Sequence, residues 1–331
     1  MDDIVTLDYG SGGRKTAELI EKLLLPAFDN AALAALGDGA LLAGADKLVF
    51  STDSFVVSPC FFPGGDIGEL SVCGTVNDVS MCGGEAKYLS LSFIIEEGFL
   101  FSDLEKIVLS IRDTARRAGV QIVTGDTKVV ERGRGDGIYI NTAGIGFLKY
   151  PGLSTKHIQS GDAVLLSGTA GDHGAAVMMC RAGLEGSLTS DCAPLGALAD
   201  AVLSTGCEVR CLRDPTRGGV ATTLNEFSED CGKYIELDED SIPVAEGTRA
   251  VCDLLGLDPL YCANEGKMLC VVPEKDAETV LAAMRSVPEG KDAARIGTVS
   301  AREGHGVILR TAFGGSRLLQ KLTGAQLPRI C

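Results

Sequence analysis

Patterns typical of buried strands and of amphipathic helices alternate along most of this chain, and this alternation restricts its fold more than any other feature. Apolar residues follow helical spacing over 67–82, a buried strand is predicted over 89–95, and a helix is predicted over 103–118. Two further strands are predicted over 120–123 and 137–146. Because helices and strands interleave, we predict an α/β or α+β fold.

The start of the chain combines a glycine-rich opening with one helix and two short strands. Residues 7–15 predict a mobile loop, and apolar periodicity over 16–25 predicts a helix that ends at Pro26. Short apolar segments at 40–42 and 48–51 flank a turn signal, so we predict a hairpin there.

A chain of 331 residues is long enough for two domains of ordinary size. The turn signal Pro151-Gly152 favours a boundary near residue 150. Beyond it, strands are predicted at 163–167, near Val209, near Ile235, at 268–272 and at 307–309, and helices near 172–183 and 193–204. The predicted parts are an N-terminal domain (1–150), a C-terminal α/β domain (151–314) and a flexible tail (315–331).

The charge and cysteine content argue against several function classes. A formal net charge of −15 argues against nucleic-acid binding, which depends on clustered Lys and Arg side chains. No apolar run reaches the roughly 18–20 residues of a membrane span, and the acidic start lacks the basic region of an export signal. We therefore expect a cytoplasmic protein whose 12 cysteines are reduced. The pair Cys207 and Cys211 has no second pair beside it, so no structural metal is predicted.

Four short motifs in the first half place an aspartate beside Gly, Ser or Asn at a predicted strand or helix end. Their acids are Asp38, Asp53, Asp78 and Asp126. Mg²⁺ prefers such oxygen ligands and backbone amides can hold phosphates, so the set is consistent with a Mg²⁺–triphosphate site. Each motif alone is better explained by turn formation. The chain has no GxxxxGK[ST] run, so a nucleotide would not be held by a P-loop.

The second half holds two further candidates. The run Asp214-Pro-Thr-Arg217-Gly218-Gly219 combines an acid, a guanidinium that can pair with phosphate and two glycines that permit close backbone approach. A turn with a local Asp–Arg pair is the alternative. Glu265 precedes a predicted buried strand, where an acid–base residue is commonly mounted, although a solvated loop acid shows the same pattern.

Eight motifs occur together in this chain: GSGGR, GDGA, STDSFVVSP, GTVNDVSMCGG, VTGDTKVV, DPTRGG, ANEG and a terminal PRIC. In this combination they resemble the HypE family of hydrogenase maturation factors, the carbamoyl dehydratases, over nearly the whole chain. The acid motifs, GDTKVV and DPTRGG are shared more loosely with the superfamily of aminoimidazole ribonucleotide synthetase (PurM), selenophosphate synthetase and thiamin-monophosphate kinase. The terminal PRIC narrows the resemblance to HypE.

The resemblance implies a PurM-like fold and a homodimer whose N-terminal mixed sheets pair into a barrel, with ATP bound at the interface. It implies that Mg²⁺ and the phosphates face Asp38, Asp53, Asn77, Asp78 and Asp126, with the four aspartates as metal ligands. It places Lys128 and Glu265 near the reacting group, and Asp214, Arg217, Gly218 and Gly219 in a nucleotide-facing loop. The implied partners are a HypF-like carbamoyltransferase and a HypC–HypD complex that accepts cyanide for the iron of nickel-iron hydrogenase.

The resemblance also assigns the reacting group to Cys331, the last residue, as an S-carboxamide. A carboxamide oxygen is a poor leaving group, so ATP would phosphorylate it, and loss of N–H protons would then expel phosphate and leave a thiocyanate. Glu265 is the candidate base, with Lys128 stabilising developing charge. Two alternatives stay open: another synthetase of the superfamily that acts on a soluble substrate, and a non-catalytic thiol carrier.

Overall fold

The structure is a computed structural model, and it describes residues 3–37 and 39–321. Its α-helices are α1 (Arg14–Leu19), α2 (Leu25–Phe28), α3 (Ala31–Ala34), α4 (Ile67–Met81), α5 (Phe101–Ala118), α6 (Asp172–Arg181), α7 (Gly196–Leu203), α8 (Gly219–Cys231), α9 (Glu246–Leu255) and α10 (Ala277–Arg285). A π-helix, Ile20–Leu24, joins α1 to α2. Among the helices formed by the described residues, none has both the length and the apolar character needed to cross a bilayer.

The strands form three sheets, one of them a two-stranded ribbon of β2 and β3. Their bounds are β1 (Leu48–Phe55), β2 (Phe61–Phe62), β3 (Gly65–Asp66), β4 (Gly84–Glu96), β5 (Gln121–Val130), β6 (Ile138–Leu148), β7 (Ala163–Leu166), β8 (Cys211–Arg213), β9 (Lys233–Asp238), β10 (Leu269–Val272), β11 (Ala294–Glu303), β12 (Val307–Arg310) and β13 (Ser316–Leu319).

The first large sheet has four strands in the order β1-β6-β4-β5. β4 and β5 run parallel and the other neighbours antiparallel, so the sheet is mixed, as predicted. α4 packs on one face, and α5 packs on α4 from outside. Thirteen of the fifteen residues of α4 are buried, which is expected of a helix enclosed between two layers.

The second large sheet has seven strands in the order β13-β12-β9-β11-β7-β10-β8. Its central strands β7 and β10 are buried along their whole length, which matches their continuous apolar runs. α8 packs on one face through Val220, Leu224 and Phe227, and α7 and α10 supply apolar residues to a cluster on the other. Both faces are therefore covered, as expected of an α/β domain.

The predicted hairpin near the start of the chain is wrong. Residues 40–45 form no strand, and β1 pairs instead with the distant β6, so that Phe50 faces Ile145. The first helical segment also continues past Pro26 to Phe28: a π-helix, Ile20–Leu24, precedes α2, and there the Leu25 N–H donates to the Ile20 carbonyl, so the regular i→i−4 pairing is already interrupted before the proline.

The predicted start of the tail is also wrong. Residues 316–319 form β13, an edge strand that pairs antiparallel with β12 from Val307↔Leu319 to Arg310↔Ser316. Only Leu319 of this strand is buried. The segment therefore does not show the alternation of buried apolar and exposed polar residues that predicts a strand. Residues 322–331 lie outside the described part of the chain, and the flexible tail stays a prediction there.

Candidate functional site

A polar cavity of about 310 Å³ lies between the first sheet and the loops of the second domain. Five of the predicted site residues line it: Asp53, Asp78, Asp214, Arg217 and Glu265. They come from β1, α4, the loop after β8 and the loop before β10. The fold thus assembles side chains more than 200 positions apart in the sequence, because α4 packs against β1 on one side and against β8 on the other.

The close approach of β1 and α4 brings Asp53 and Asp78 to one wall of the cavity. A Cβ atom at Gly74 of α4 would lie 2.8 Å from the ring of Phe55 in β1, so this position requires glycine. The Ser51 hydroxyl donates a hydrogen bond of 2.6 Å to Asp78 Oδ2 and fixes that carboxylate. Burial raises the pKa of Asp78, and the Ser51 hydrogen bond opposes this rise.

Two further acids are more deeply enclosed. Asp214 is 6% exposed and Glu265 is 3% exposed. Burial raises the pKa of Asp214 to about 7, and the carboxylate of Asp78 adds to the effect. Burial also raises the pKa of Glu265 well above its usual range, with a contribution from Asp214. A carboxyl with the pKa of Asp214 is suited to exchange protons near neutral pH, and the raised pKa of Glu265 makes its carboxylate a stronger base.

The acid-rich lining provides the chemistry that a divalent cation requires. The acids are Asp53, Asp78, Asp214, Glu226 and Glu265, and the cations are Arg213 and Arg217. Mutual repulsion among the acids would be relieved by a cation that prefers oxygen ligands, such as Mg²⁺. In the described part of the chain, no three His, Cys, Asp or Glu side chains are spaced to hold a metal ion, so these residues supply only a partial ligand set.

The predicted glycines Gly218 and Gly219 hold the Arg217 loop in place. Gly218 is the N-cap of α8 with φ 77°, a left-handed conformation that favours glycine. A Cβ atom at Gly219 would lie 2.5 Å from the carbonyl oxygens of Leu260 and Cys262. The glycines therefore let the start of α8 pack against the segment that leads to Glu265, while Arg217 stays exposed at the cavity.

Not all of the predicted residues meet in this cavity. Asp126 and Lys128 are exposed on β5, and Asp126 lines a separate cavity of about 230 Å³ that also includes Gly37 and Gly39. Asp38 and Cys331 lie outside the described residues. Within the described part of one chain, Asp126 and Lys128 are thus not among the residues that line the cavity of Glu265.

Asn77 differs from its predicted role at the phosphates. It is fully buried, and its side-chain amide donates to the carbonyl oxygens of Ala193 at 3.1 Å and Glu265 at 3.4 Å. Its Oδ1 atom accepts a hydrogen bond of 2.7 Å from the backbone N–H of Leu195. Asn77 therefore joins α4 to the second domain and supports the main chain of Glu265.

Replacing Asn77 by Ala should destabilise the protein, because three hydrogen bonds are lost and the buried N–H of Leu195 is left without its acceptor. We expect the free energy of unfolding to fall by about 2–3 kcal/mol in a denaturant titration. An unchanged stability together with a lost affinity for ATP would instead support the predicted phosphate contact.

Sequence reasoning missed three charged residues at the site: Asp191, Arg213 and Glu226. Asp191 accepts a hydrogen bond of 3.1 Å from the backbone N–H of Glu265 and also pairs with Lys267 at 3.1 Å, so it fixes the loop that carries Glu265. Arg213 lies 3.8 Å from Glu226 in the cavity. Arg213 directly precedes the DPTRGG motif, which could have indicated it, whereas nothing in the sequence around Asp191 does so.

Comparison with protein families matches two domains of one kind. Residues 29–148 match the AIR synthase related protein, N-terminal domain, and residues 159–310 match the AIR synthase related protein, C-terminal domain. Among curated relatives, the carbamoyl dehydratase HypE of Azotobacter vinelandii is 50% identical over 332 residues, which cover 99% of this chain and 97% of the relative.

Solved structures show the same similarity in three dimensions. Hydrogenase maturation protein HypE in complex with ATP superposes with a TM-score of 0.95 at 50% identity, covering 98% of this chain and 99% of that one. A chain of a HypE–HypF complex superposes with a TM-score of 0.80 at 48% identity, covering 91% and 99%. These matches confirm the family resemblance and the two-domain PurM-like fold inferred from the motifs.

Proposed function

Since the chain belongs to the HypE family of carbamoyl dehydratases, we propose that it dehydrates an S-carboxamide on Cys331 to a thiocyanate at the expense of ATP. The cyanide would then serve the iron of nickel-iron hydrogenase. The observation that carries the proposal is the buried carboxyl of Glu265, with its raised pKa, in a cavity that is also lined by Arg217, Asp53 and Asp78.

The chemistry requires a phosphoryl acceptor and a base. The carboxamide oxygen attacks the γ-phosphorus of ATP, and ADP leaves. The nitrogen then loses its two protons, the C–O bond breaks with release of phosphate, and –S–C≡N remains. We assign Glu265 as the group that receives an N–H proton, because it lines the cavity and burial raises its pKa, which makes its carboxylate a stronger base.

The phosphate groups would be held by the guanidinium groups at the cavity and by the main chain at the start of α8. Arg217 is exposed there, and the close packing that Gly218 and Gly219 permit fixes the start of α8 beside it. Asp53 and Asp78 would be ligands of the Mg²⁺ that neutralises the phosphates. Asp38 and Asp126 are proposed to complete this ligand set.

A homodimer would bring Asp126 and Lys128 to the cavity. The face of the first sheet opposite α4 carries exposed apolar residues, among them Leu48, Phe50 and Ile94, which are 53%, 66% and 44% exposed. β1 and β5 are the two edges of this sheet. If two copies close their sheets into a barrel about a two-fold axis, β1 of one copy lies beside β5 of the other.

Replacing Phe50 by Asp should weaken the dimer, because a charge would be buried in an apolar interface. We expect multi-angle light scattering to show the wild type as a dimer and the variant as a monomer at micromolar concentration. Leu254→Asp is the matched control, since Leu254 is 68% exposed on α9 of the other domain. A monomeric wild type, or a variant that stays dimeric, would contradict this arrangement.

The proposed partners are a HypF-like carbamoyltransferase, supported by the similarity to a chain of a HypE–HypF complex, and a HypC–HypD complex as cyanide acceptor. We propose that the protein works in the cytoplasm. Its eleven cysteines among the described residues are free thiols, which is consistent with a reducing compartment.

Phosphate release separates this proposal from its two alternatives. Hydrolysis of ATP should require a carbamoyl group on the chain, so unloaded protein releases little phosphate and loaded protein releases one equivalent. A synthetase acting on a soluble substrate would hydrolyse ATP without loading once that substrate is present. A non-catalytic thiol carrier would release no phosphate in either state.

A further inference from the structure

Side chains of the second domain hold the last described residues by their main chain. Asn225 Nδ2, on α8, donates a hydrogen bond of 3.0 Å to the carbonyl oxygen of Leu319. The hydroxyl of Tyr261 donates a hydrogen bond of 2.8 Å to the carbonyl oxygen of Gln320. Tyr261 ends a 3₁₀-helix, Pro259–Tyr261, that precedes the loop of Glu265. We refer to Asn225 and Tyr261 as the C-terminal clamp.

Within the clamp, the hydrogen bond from Asn225 is better protected than the surrounding ion pairs. Asn225 and Leu319 are 7% and 1% exposed, so their hydrogen bond is shielded from water. Lys321 Nζ lies 2.9 Å from Glu229 Oε2, but both side chains are more than 40% exposed, and such pairs contribute little. The buried hydrogen bond from Asn225 therefore fixes the end of β13, and the exposed one from Tyr261 acts on the next residue, Gln320.

The clamp lies close to the cavity. Thr223 and Glu226 of α8 line the cavity, and Asn225 lies on the same stretch of this helix. Tyr261 is four residues before Glu265. With a rise of about 1.5 Å per residue and a helix diameter of about 10 Å, the clamp is within roughly 10–20 Å of the cavity.

This distance suits the length of chain that follows. Ten residues, 322–331, separate Lys321 from the C-terminus. A fully extended chain of this length reaches about 33–36 Å, and a flexible one has a root-mean-square span of about 16–19 Å. The local concentration of a tethered group is highest when that span matches the distance to its site.

We propose that Tyr261, with Asn225, anchors the C-terminal segment beside the cavity and so raises the local concentration of Cys331 at Glu265. This inference rests on the proposed function of Cys331. Tyr261 is thus a positioning residue, which acts through the main chain of Gln320. An untethered substrate would gain nothing from it.

The test compares tethered and untethered substrate in Tyr261→Phe. With the carbamoyl group on the full chain, the single-turnover rate at saturating ATP should fall about two- to tenfold, the loss expected for one hydrogen bond. With a synthetic peptide of residues 322–331 carrying the carbamoyl group, the rate should not change when Tyr261→Phe is added to a Cys331→Ala chain. Tyr234→Phe, at another half-buried tyrosine of this domain, is the control.

The outcomes distinguish an effect of Tyr261 on the tethered C-terminal segment from an effect on the reaction itself. Equal losses with tethered and untethered substrate would mean that Tyr261 shapes the loop of Glu265, and unchanged rates would mean that it has no role; both results overturn the proposal. Amide hydrogen exchange of residues 317–321 tests the clamp without the reaction and should accelerate in Tyr261→Phe only. If the wild type dehydrates neither substrate, the proposed function fails, and unaltered exchange would overturn the clamp as well.

Discussion

Glu265→Gln should leave the carbamoyl group on Cys331 intact in the presence of ATP. Gln has the shape of Glu and can occupy the same buried position, but it cannot accept the N–H proton. Removal of a positioned base costs about two to four orders of magnitude in rate. We therefore expect the single-turnover rate of dehydration, followed by mass spectrometry of loaded protein, to fall by at least about a hundredfold while ATP still binds.

Two controls and the pH dependence sharpen this prediction. Glu246→Gln, at an exposed glutamate of α9, should behave as the wild type, and Glu265→Asp should retain part of the rate. The base must be ionised, so the wild-type rate should rise as pH increases through the raised pKa of Glu265. Glu265→Gln should lose this rise. A variant with wild-type rate and an unchanged pH profile would exclude Glu265 as the base.

Cys331→Ala should abolish both loading by a HypF-like carbamoyltransferase and the ATP hydrolysis that depends on it, because the variant has no thiol to carry the group. Its fold and its affinity for ATP should not change, since the described helices and strands are formed by residues 7–319. Phosphate release and peptide mass measure the two losses directly.

The matched control for that loss is Cys82→Ala, which removes an exposed thiol at the end of α4. It should load and hydrolyse ATP as the wild type does. If Cys331→Ala is still carbamoylated, or if Cys82→Ala shows the same loss, the carrier role belongs to another thiol, and the assignment to the terminal cysteine is wrong.

Much of the fold could be predicted where periodicity is strong. α4 was predicted over 67–82 and spans Ile67–Met81, and β7 and β10 correspond to continuous apolar runs. Prediction from periodicity fails where pairing between distant parts of the chain determines the secondary structure. β13 shows little apolar alternation and exists because β12 offers a free edge, and β1 pairs with β6 about 90 residues away rather than with a neighbour.

The site was predicted in part because its residue types sit in short, glycine-flanked motifs. Asp53, Asp78, Asp214 and Glu265 do line one cavity. The motif around Asn77 also resembles a ligand motif, but a motif does not reveal on which side of a buried helix a residue lies, and Asn77 faces the second domain. Asp191 could not be found at all, because its role depends on a contact with Glu265 across 74 positions.

The most direct test of the central claim is the mass of the C-terminal peptide after incubation with a HypF-like carbamoyl donor, carbamoyl phosphate, Mg²⁺ and either ATP or a non-hydrolysable analogue. We predict a peptide that gains one carbamoyl group under both conditions and loses one water only with ATP. A peptide that stays unmodified, or that loses water equally with the analogue, would contradict the assignment of this chain as an ATP-dependent dehydratase acting on its own last residue.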